Sequence, residues 1–164
     1  NSTNVFICGM RDNGSYIFSP QTVNVALPNT INQSPSIAVV SASSSVVAWE
    51  NFGKDGSSGA SWGVSAAIIG STGSVIVPEF VVPGIVNGDQ ADPKVASTPT
   101  GFVIVWASSQ GIIMKLFDAT GNNITGDITV NSSPAPYTSF PQVIYHGASQ
   151  LIFSVWSNGT YIFG

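Results

Sequence analysis

Charge is what this chain has least of. Only 7% of its 164 residues are charged, where an ordinary soluble domain carries about 25%. Four are basic (Arg11, Lys54, Lys94 and Lys115), they are scattered, and the net charge is −4. Phosphate binding needs clustered Lys and Arg, so nucleic acid is an unfavoured partner. A single cysteine, Cys8, excludes an internal disulfide. The fold must rest on its core and its hydrogen-bonded sheets, and Cys8 itself reads as a small buried hydrophobe. The single histidine, His146, sits in Tyr145-His146-Gly147 and reads as a surface-loop residue rather than a general base. No apolar run approaches the roughly 20 residues that span a bilayer. The longest uninterrupted one, Phe102 to Ala107, is a strand's length. Amphipathic helical periodicity is also lacking, with Trp62–Ile69 the most ambiguous stretch. Asn1-Ser2-Thr3-Asn4 is not a secretory signal and there is no initiator Met, so the chain reads as a mature or excised segment.

Apolar content is ordinary at 43%. Ser, Thr, Asn and Gly occupy the places that charges usually take. A chain of this length buries a sizeable core and is most simply one domain, 1–164. Six asparagines stand in N-x-[ST] with no Pro between: Asn1, Asn13, Asn32, Asn123, Asn131 and Asn158. That is roughly twice what random placement in so Ser/Thr-rich a chain would give. Asn13, Asn123 and Asn158 lie beside turn glycines, where a glycan disturbs no core. Asn32 and Asn131 each have a Pro just after the tripeptide. The expectation is an extracellular or cell-surface glycoprotein carrying N-linked glycans.

Internal repeats organise the rest. P-x-[IV] recurs at Pro35-Ser36-Ile37, Pro93-Lys94-Val95 and Pro141-Gln142-Val143. A Trp closes an apolar strand 14, 13 and 15 residues later, at Trp49, Trp106 and Trp156. A turn glycine is followed by Ile three on and Val nine on: Gly14, Ile17, Val23; Gly73, Ile76, Val82; Gly121, Ile124, Val130. The anchors divide the chain into a half-repeat (1–32), two repeats (33–89 and 90–138) and a half-repeat (139–164). Each repeat reads as four short strands rich in Val, Ile, Phe and Trp, punctuated by Gly, Ser, Asn and Asp. Strand one follows the Pro, and strand two runs into the Trp. Strand three is Val5–Met10, Val64–Ile69 and Ile112–Phe117; strand four is Tyr16–Val25, Val75–Val82 and Ile124–Val130. Asn13-Gly14, Thr72-Gly73 and Thr120-Gly121 read as hairpin turns. The unit Gln90–Asn131 looks the most complete.

The fold class is therefore all-β and antiparallel, with about three four-stranded repeats. A β-propeller blade and a β-trefoil both suit that count. The pattern Q-x-x-P-x-V, a G-F-V-I-V-W strand, F-D-x-x-G and a closing V-N, best seen over Gln90–Asn131, resembles the tandem repeats of about 50 residues in large secreted, adhesin-like proteins. The resemblance implies propeller-blade-like units and says little about ligand.

Chemistry is hard to find. Glu50 and Glu79 are the only carboxylates that suggest a glycosidase-like pair, and no motif supports it. Asp118–Asn122 and Asp55–Gly59 offer oxygens to a hard cation, but one acid per loop reads better as a polar turn bonding itself. No catalytic residue, metal site or cofactor is expected. Trp49, Trp106 and Trp156 read as packing anchors because they recur at one place in each repeat. Trp62 lies outside the pattern; with Tyr145 and Tyr161 it is the candidate ligand contact. The expected function is a non-enzymatic structural or adhesive module that self-assembles, as a filament in which terminal half-repeats complete neighbouring subunits. The alternative is a lectin-like module binding extracellular carbohydrate.

Overall fold

The computed structural model describes residues 2–54, 61–131, 139–157 and 162–163. All regular structure there is β-strand, in four separate antiparallel sheets. The first holds β1 (Phe6–Met10) and β2 (Tyr16–Thr22). The second runs in order through β3 (Ile31–Ser41), β4 (Ser44–Phe52), β5 (Trp62–Gly70) and β6 (Val75–Val81). The third repeats that order with β7 (Gln90–Thr98), β8 (Gly101–Ser108), β9 (Gly111–Asp118) and β10 (Ile128–Thr129). The fourth holds β11 (Ser139–His146), β12 (Leu151–Ser157) and β13 (Ile162–Phe163). No strand of one sheet pairs with a strand of another among the described residues. No helix there is long and apolar enough to cross a membrane.

The sheets stack face to face, and side-chain alternation along each strand feeds two cores. On β4, Val47 and Trp49 meet Val5 and Val23, which flank the strands of the first sheet, while Val46 and Ala48 turn toward the third. On β8, Phe102, Ile104 and Trp106 face the second sheet, while Val103, Val105 and Ala107 face the fourth. A strand buried on both sides has no polar face, which is why Phe102 to Ala107 is an unbroken apolar run. The same reason makes Trp62–Ile69 a strand rather than a helix: Val64, Ala66 and Ile68 serve one core, Ala67 and Ile69 the other. Each recurring Trp points at the preceding sheet, Trp49 at the first, Trp106 at the second and Trp156 at the third.

Two local devices explain the repeated anchors. The hairpins after β1, β5 and β9 share one geometry. Gly14, Gly73 and Gly121 sit at φ 81°, 88° and 86°. Each donates its N–H to the carbonyl three residues back, at Arg11, Gly70 and Asp118, 2.9–3.1 Å away. A three-residue loop ending in a left-handed residue favours glycine there. The P-x-[IV] anchors mark bulges. Pairing slips between Gln33 and Ser36, between Ala91 and Lys94, and between Ser139 and Gln142. The residue before each Pro (Ser34, Asp92, Phe140) has φ of 52°, 53° and 61°. A bulge bends and twists the strand, and here it does so at the same point of β3, β7 and β11.

Three expectations need correction. The fourth strand of the Gln90–Asn131 unit is not Ile124–Val130 but only Ile128–Thr129, paired with Met114 and Ile113. Leu116 instead donates its N–H to Thr125 Oγ1 and accepts from Ile124 N–H, so a side chain interrupts the ladder. The second sheet, not this one, has four full strands. Cys8 is exposed rather than buried, because the outward face of β1 has no sheet against it. His146 closes β11, paired with Leu151, and its Nδ1 bonds Ser149 Oγ across the hairpin at 2.6 Å.

Candidate functional site

Four of the carboxylates act as clips between sheets. On β6, Glu79 accepts the N–H of Val25 at 2.7 Å and pairs with Lys54 at 3.0 Å, and Lys54 also donates to Val25 O. Forty-eight residues later in the sequence, Asp127 accepts the N–H groups of Gly84 and Ile85 at 2.9 and 3.0 Å. It pairs with Lys115 at 3.4 Å, whose Nζ donates to Val82 O at 3.1 Å. In both cases the acid grips the connection leaving the preceding sheet. Glu50 accepts from Gln33 Nε2 at 2.7 Å and from Asp92 N–H at 2.6 Å, tying the second sheet to the third. Asp92 in turn accepts from Phe140 N–H at 3.3 Å. Glu50 and Glu79 are thus each committed to different partners.

Asp118 is consumed by its own turn. Its Oδ1 accepts from Thr120 N–H, Thr120 Oγ1 and Asn122 N–H at 2.7–2.9 Å, and its Oδ2 from Asn122 Nδ2 at 3.0 Å. The Thr120 hydroxyl, then Asn122, hold its carboxyl down at a pKa of about 2. Lone pairs spent this way are not offered to a cation. The Asp55 loop lies outside the described residues. Among the described residues no three His, Cys, Asp or Glu side chains are grouped as metal ligands.

The sequon asparagines divide by burial. Asn13 and Asn123 are exposed at hairpins. Asn32 is buried: its Oδ1 accepts the Trp49 indole N–H at 3.1 Å and its Nδ2 donates to Thr3 O at 2.7 Å. A glycan on that nitrogen has no room. Asn131 is buried too, its Oδ1 accepting Ile112 N–H at 2.8 Å, as Asn24 accepts Val5 N–H at 2.7 Å. That shared role explains the recurring Val-Asn pair. Gly111 is required beside it, because at φ 116° a Cβ there would overlap the Asn131 amide. Asn1 and Asn158 lie outside the described residues.

The aromatic candidates do not converge. Trp62 is half-buried against Phe52, ring centroids 5.3 Å apart, on the second sheet. Tyr145 is on the fourth sheet, across the third. Tyr161 lies outside the described residues. A cleft beside Trp106 and Gln90 measures about 40 Å³, room for a water rather than a ligand.

The two outer faces of the stack are what remains, and neither was singled out by residue from the sequence. On the fourth sheet, Phe153 and Val155 are 48% and 43% exposed. Val103 and Val105, at the same places before the strand-two Trp of the third sheet, are fully buried. At the other end Ile37 is 57% exposed, whereas its counterparts Val95 and Val143 are 9% and 8% exposed. Beside Ile37 runs an apolar groove of about 240 Å³ between β1 and β3, lined by Phe6, Ile7, Cys8, Pro35 and Val47. Composition hid these faces, because the equivalent positions are apolar in each copy and differ only in whether a neighbouring sheet covers them. Compared with known protein families, curated proteins and solved structures, the chain matches none of them.

Proposed function

We propose that this chain is a non-enzymatic, extracellular structural module of propeller-blade-like sheets that assembles end to end with copies of itself. One observation carries the reading. The two middle sheets each contain four strands, while the outer sheets contain complementary parts of that pattern. Among the described residues the fourth sheet supplies strands one and two (β11, β12) and a two-residue piece in the place of strand three (β13), and the first supplies strands three and four (β1, β2). Strand edges and apolar faces left open in this way favour another strand and another sheet. The contact is heterologous, so it propagates as a fibre unless its rotation closes a ring. Low charge and the exposed sequons Asn13 and Asn123 support a glycosylated, extracellular setting, and the carboxylates' role as clips supports a structural rather than a catalytic use.

Sedimentation of the chain over a concentration series tests it. Species heavier than the 17.0 kDa chain are expected to grow with concentration, and rods or rings to appear in electron micrographs. A monomer at every concentration up to about 1 mM, where even a contact of about −4 kcal/mol is half formed, refutes the reading.

A further inference from the structure

We propose that β1 of one copy adds antiparallel to the edge of β12 of another, the edge on which β13 covers only Trp156 and Ser157, in the register that sets Cys8 opposite Ser154. This rests on the end-to-end assembly above and specifies it to the residue.

The register comes from the two middle sheets. In the third, strands two and three pair Trp106 with Ile113, Val105 with Met114 and Ile104 with Lys115. In the second, Trp49 pairs with Ser65 and Val47 with Ala67. The residue before each of these strand-three partners is marked independently: Ile112 O accepts Val130 N–H and Val64 O accepts Val82 N–H, both near 2.9 Å. In the first sheet Val5 O accepts Val23 N–H at 2.9 Å, so Val5 is the same position. Phe6 then corresponds to Ile113, and Trp156 to Trp106. Counting along both strands pairs Trp156 with Phe6, Val155 with Ile7, Ser154 with Cys8 and Phe153 with Gly9.

Side-chain direction agrees at each position. Ile7 packs toward the second sheet of its own copy, so Val155 opposite it is turned toward that same sheet and is covered. Phe6 and Cys8, now exposed, turn with Trp156 toward the third sheet of the neighbouring copy. The incoming β11 lies over the groove beside β3 and covers Ile37, as β7 covers Val143 and β3 covers Val95. The junction thereby continues the packing that already joins each sheet to the next. Among the described residues, β12 is paired on this side only by the two-residue β13, at Trp156 and Ser157. β13 occupies the slot for Val5 and Phe6, in the matching sequence N-x-T-x-I-F against N-x-T-x-V-F; β1 displaces it and extends the pairing.

The test is a disulfide that only this register permits. Directly opposed residues in an antiparallel pair have Cα atoms about 4.5–5.5 Å apart, within the range a disulfide spans. The 164-residue chain carrying Ser154→Cys is oxidised with diamide, which takes the two electrons and two protons of the thiol pair. Non-reducing gels are expected to show a ladder, and peptide mass spectrometry a bond between Cys8 and the introduced thiol of another chain. Val155→Cys, one residue along and on the opposite face, is expected to give at least tenfold less. Equal yields from the two variants, Cys8–Cys8 bonds alone, or a bond formed within a single chain overturns the register or the second copy as partner. Assembly in sedimentation without the Ser154→Cys ladder sinks this inference alone, whereas a wild-type chain that stays monomeric sinks the assembly reading beneath it.

Discussion

Asp127 offers the sharpest measure of how the sheets are held to one another. Its carboxylate receives two backbone N–H groups from Gly84 and Ile85 and the ammonium of Lys115. Lys115 is buried, with Val82 O as its other partner and the Phe117 ring 5.8 Å from its nitrogen. Asp127→Ala removes the acceptor from both N–H groups and leaves a buried ammonium beside one carbonyl. Breaking a buried pair from one side costs about 3–5 kcal/mol, because the orphaned charge stays in the core. Lys115→Met fills the same space without a charge and leaves Asp127 its two N–H donors, so about 1 kcal/mol is expected. In Asp127→Ala/Lys115→Met the orphaned charge is gone, and the double variant should cost about 2 kcal/mol less than the two single costs together. For a chain of this size a loss of 4 kcal/mol lowers the melting temperature by roughly 8–16 °C. Urea unfolding followed by tryptophan fluorescence and by circular dichroism reads all three variants, and coincident transitions justify the free energies. Asp127→Ala within about 1 kcal/mol of wild type, or an additive double variant, refutes the clip.

Two further outcomes follow from the same geometry. Ile37→Asp and Val155→Asp each place a charge on one end of the stack, at residues already exposed, so each chain should fold and remain monomeric. Mixed, they should form a 1:1 pair through their two intact ends, and a mixture that sediments as monomer argues against a heterologous contact. Asp118 has its carboxyl held at about pH 2 against an ordinary 3.8; a depressed value means that its contribution to the turn is complete above the ordinary value and is lost as pH falls through about 2. Carboxyl NMR titration should place its midpoint there, and Asp118→Asn should remove that acid-dependent part of the turn's stability; a midpoint near 3.8 would show that the Thr120 and Asn122 bonds do not form in solution.

Much of the architecture was legible because it rests on short-range constraints. A left-handed residue closing a three-residue loop favours glycine, so Gly14, Gly73 and Gly121 announced three hairpins. A Trp at one place in each repeat announced a packing anchor, and Trp49 and Trp106 are fully buried. What stayed hidden depends on neighbours distant in sequence. Ser34, Asp92 and Phe140 share a left-handed backbone but no side-chain chemistry, so only the sheet around them reveals the bulge. Ile124–Val130 has a strand's composition, yet Thr125 Oγ1 takes a ladder bond that a strand would make through its backbone. Cys8 reads as core in isolation and is exposed because β1 lacks an outer neighbour. Asn32 and Asn131 matched a glycan acceptor pattern while serving as buried hydrogen-bonding partners, a distinction made by Trp49 and Ile112 rather than by the tripeptide. The spacing between Glu79 and Asp127 did carry a signal, since 48 residues also separate Gly73 from Gly121. Their lysines do not share that spacing, and this hid the pairing.

The direction of the contacts decides what kind of assembly is open to the molecule. Each Trp points to the sheet before it, and Glu79 and Asp127 each hold the connection leaving the sheet before them. Every internal junction therefore has a giving side and a receiving side, and the two are chemically different. A stack built from such junctions ends in two unlike surfaces, Ile37 with the groove beside β1 at one end and Phe153 with Val155 at the other. A twofold dimer buries like against like, so it would press one of these surfaces against itself and leave the other open. A single head-to-tail contact covers both. The same sequence repeats that place Trp49, Trp106 and Trp156 in register would thus also set the polarity of the proposed assembly, in which the contact between copies continues the one between sheets.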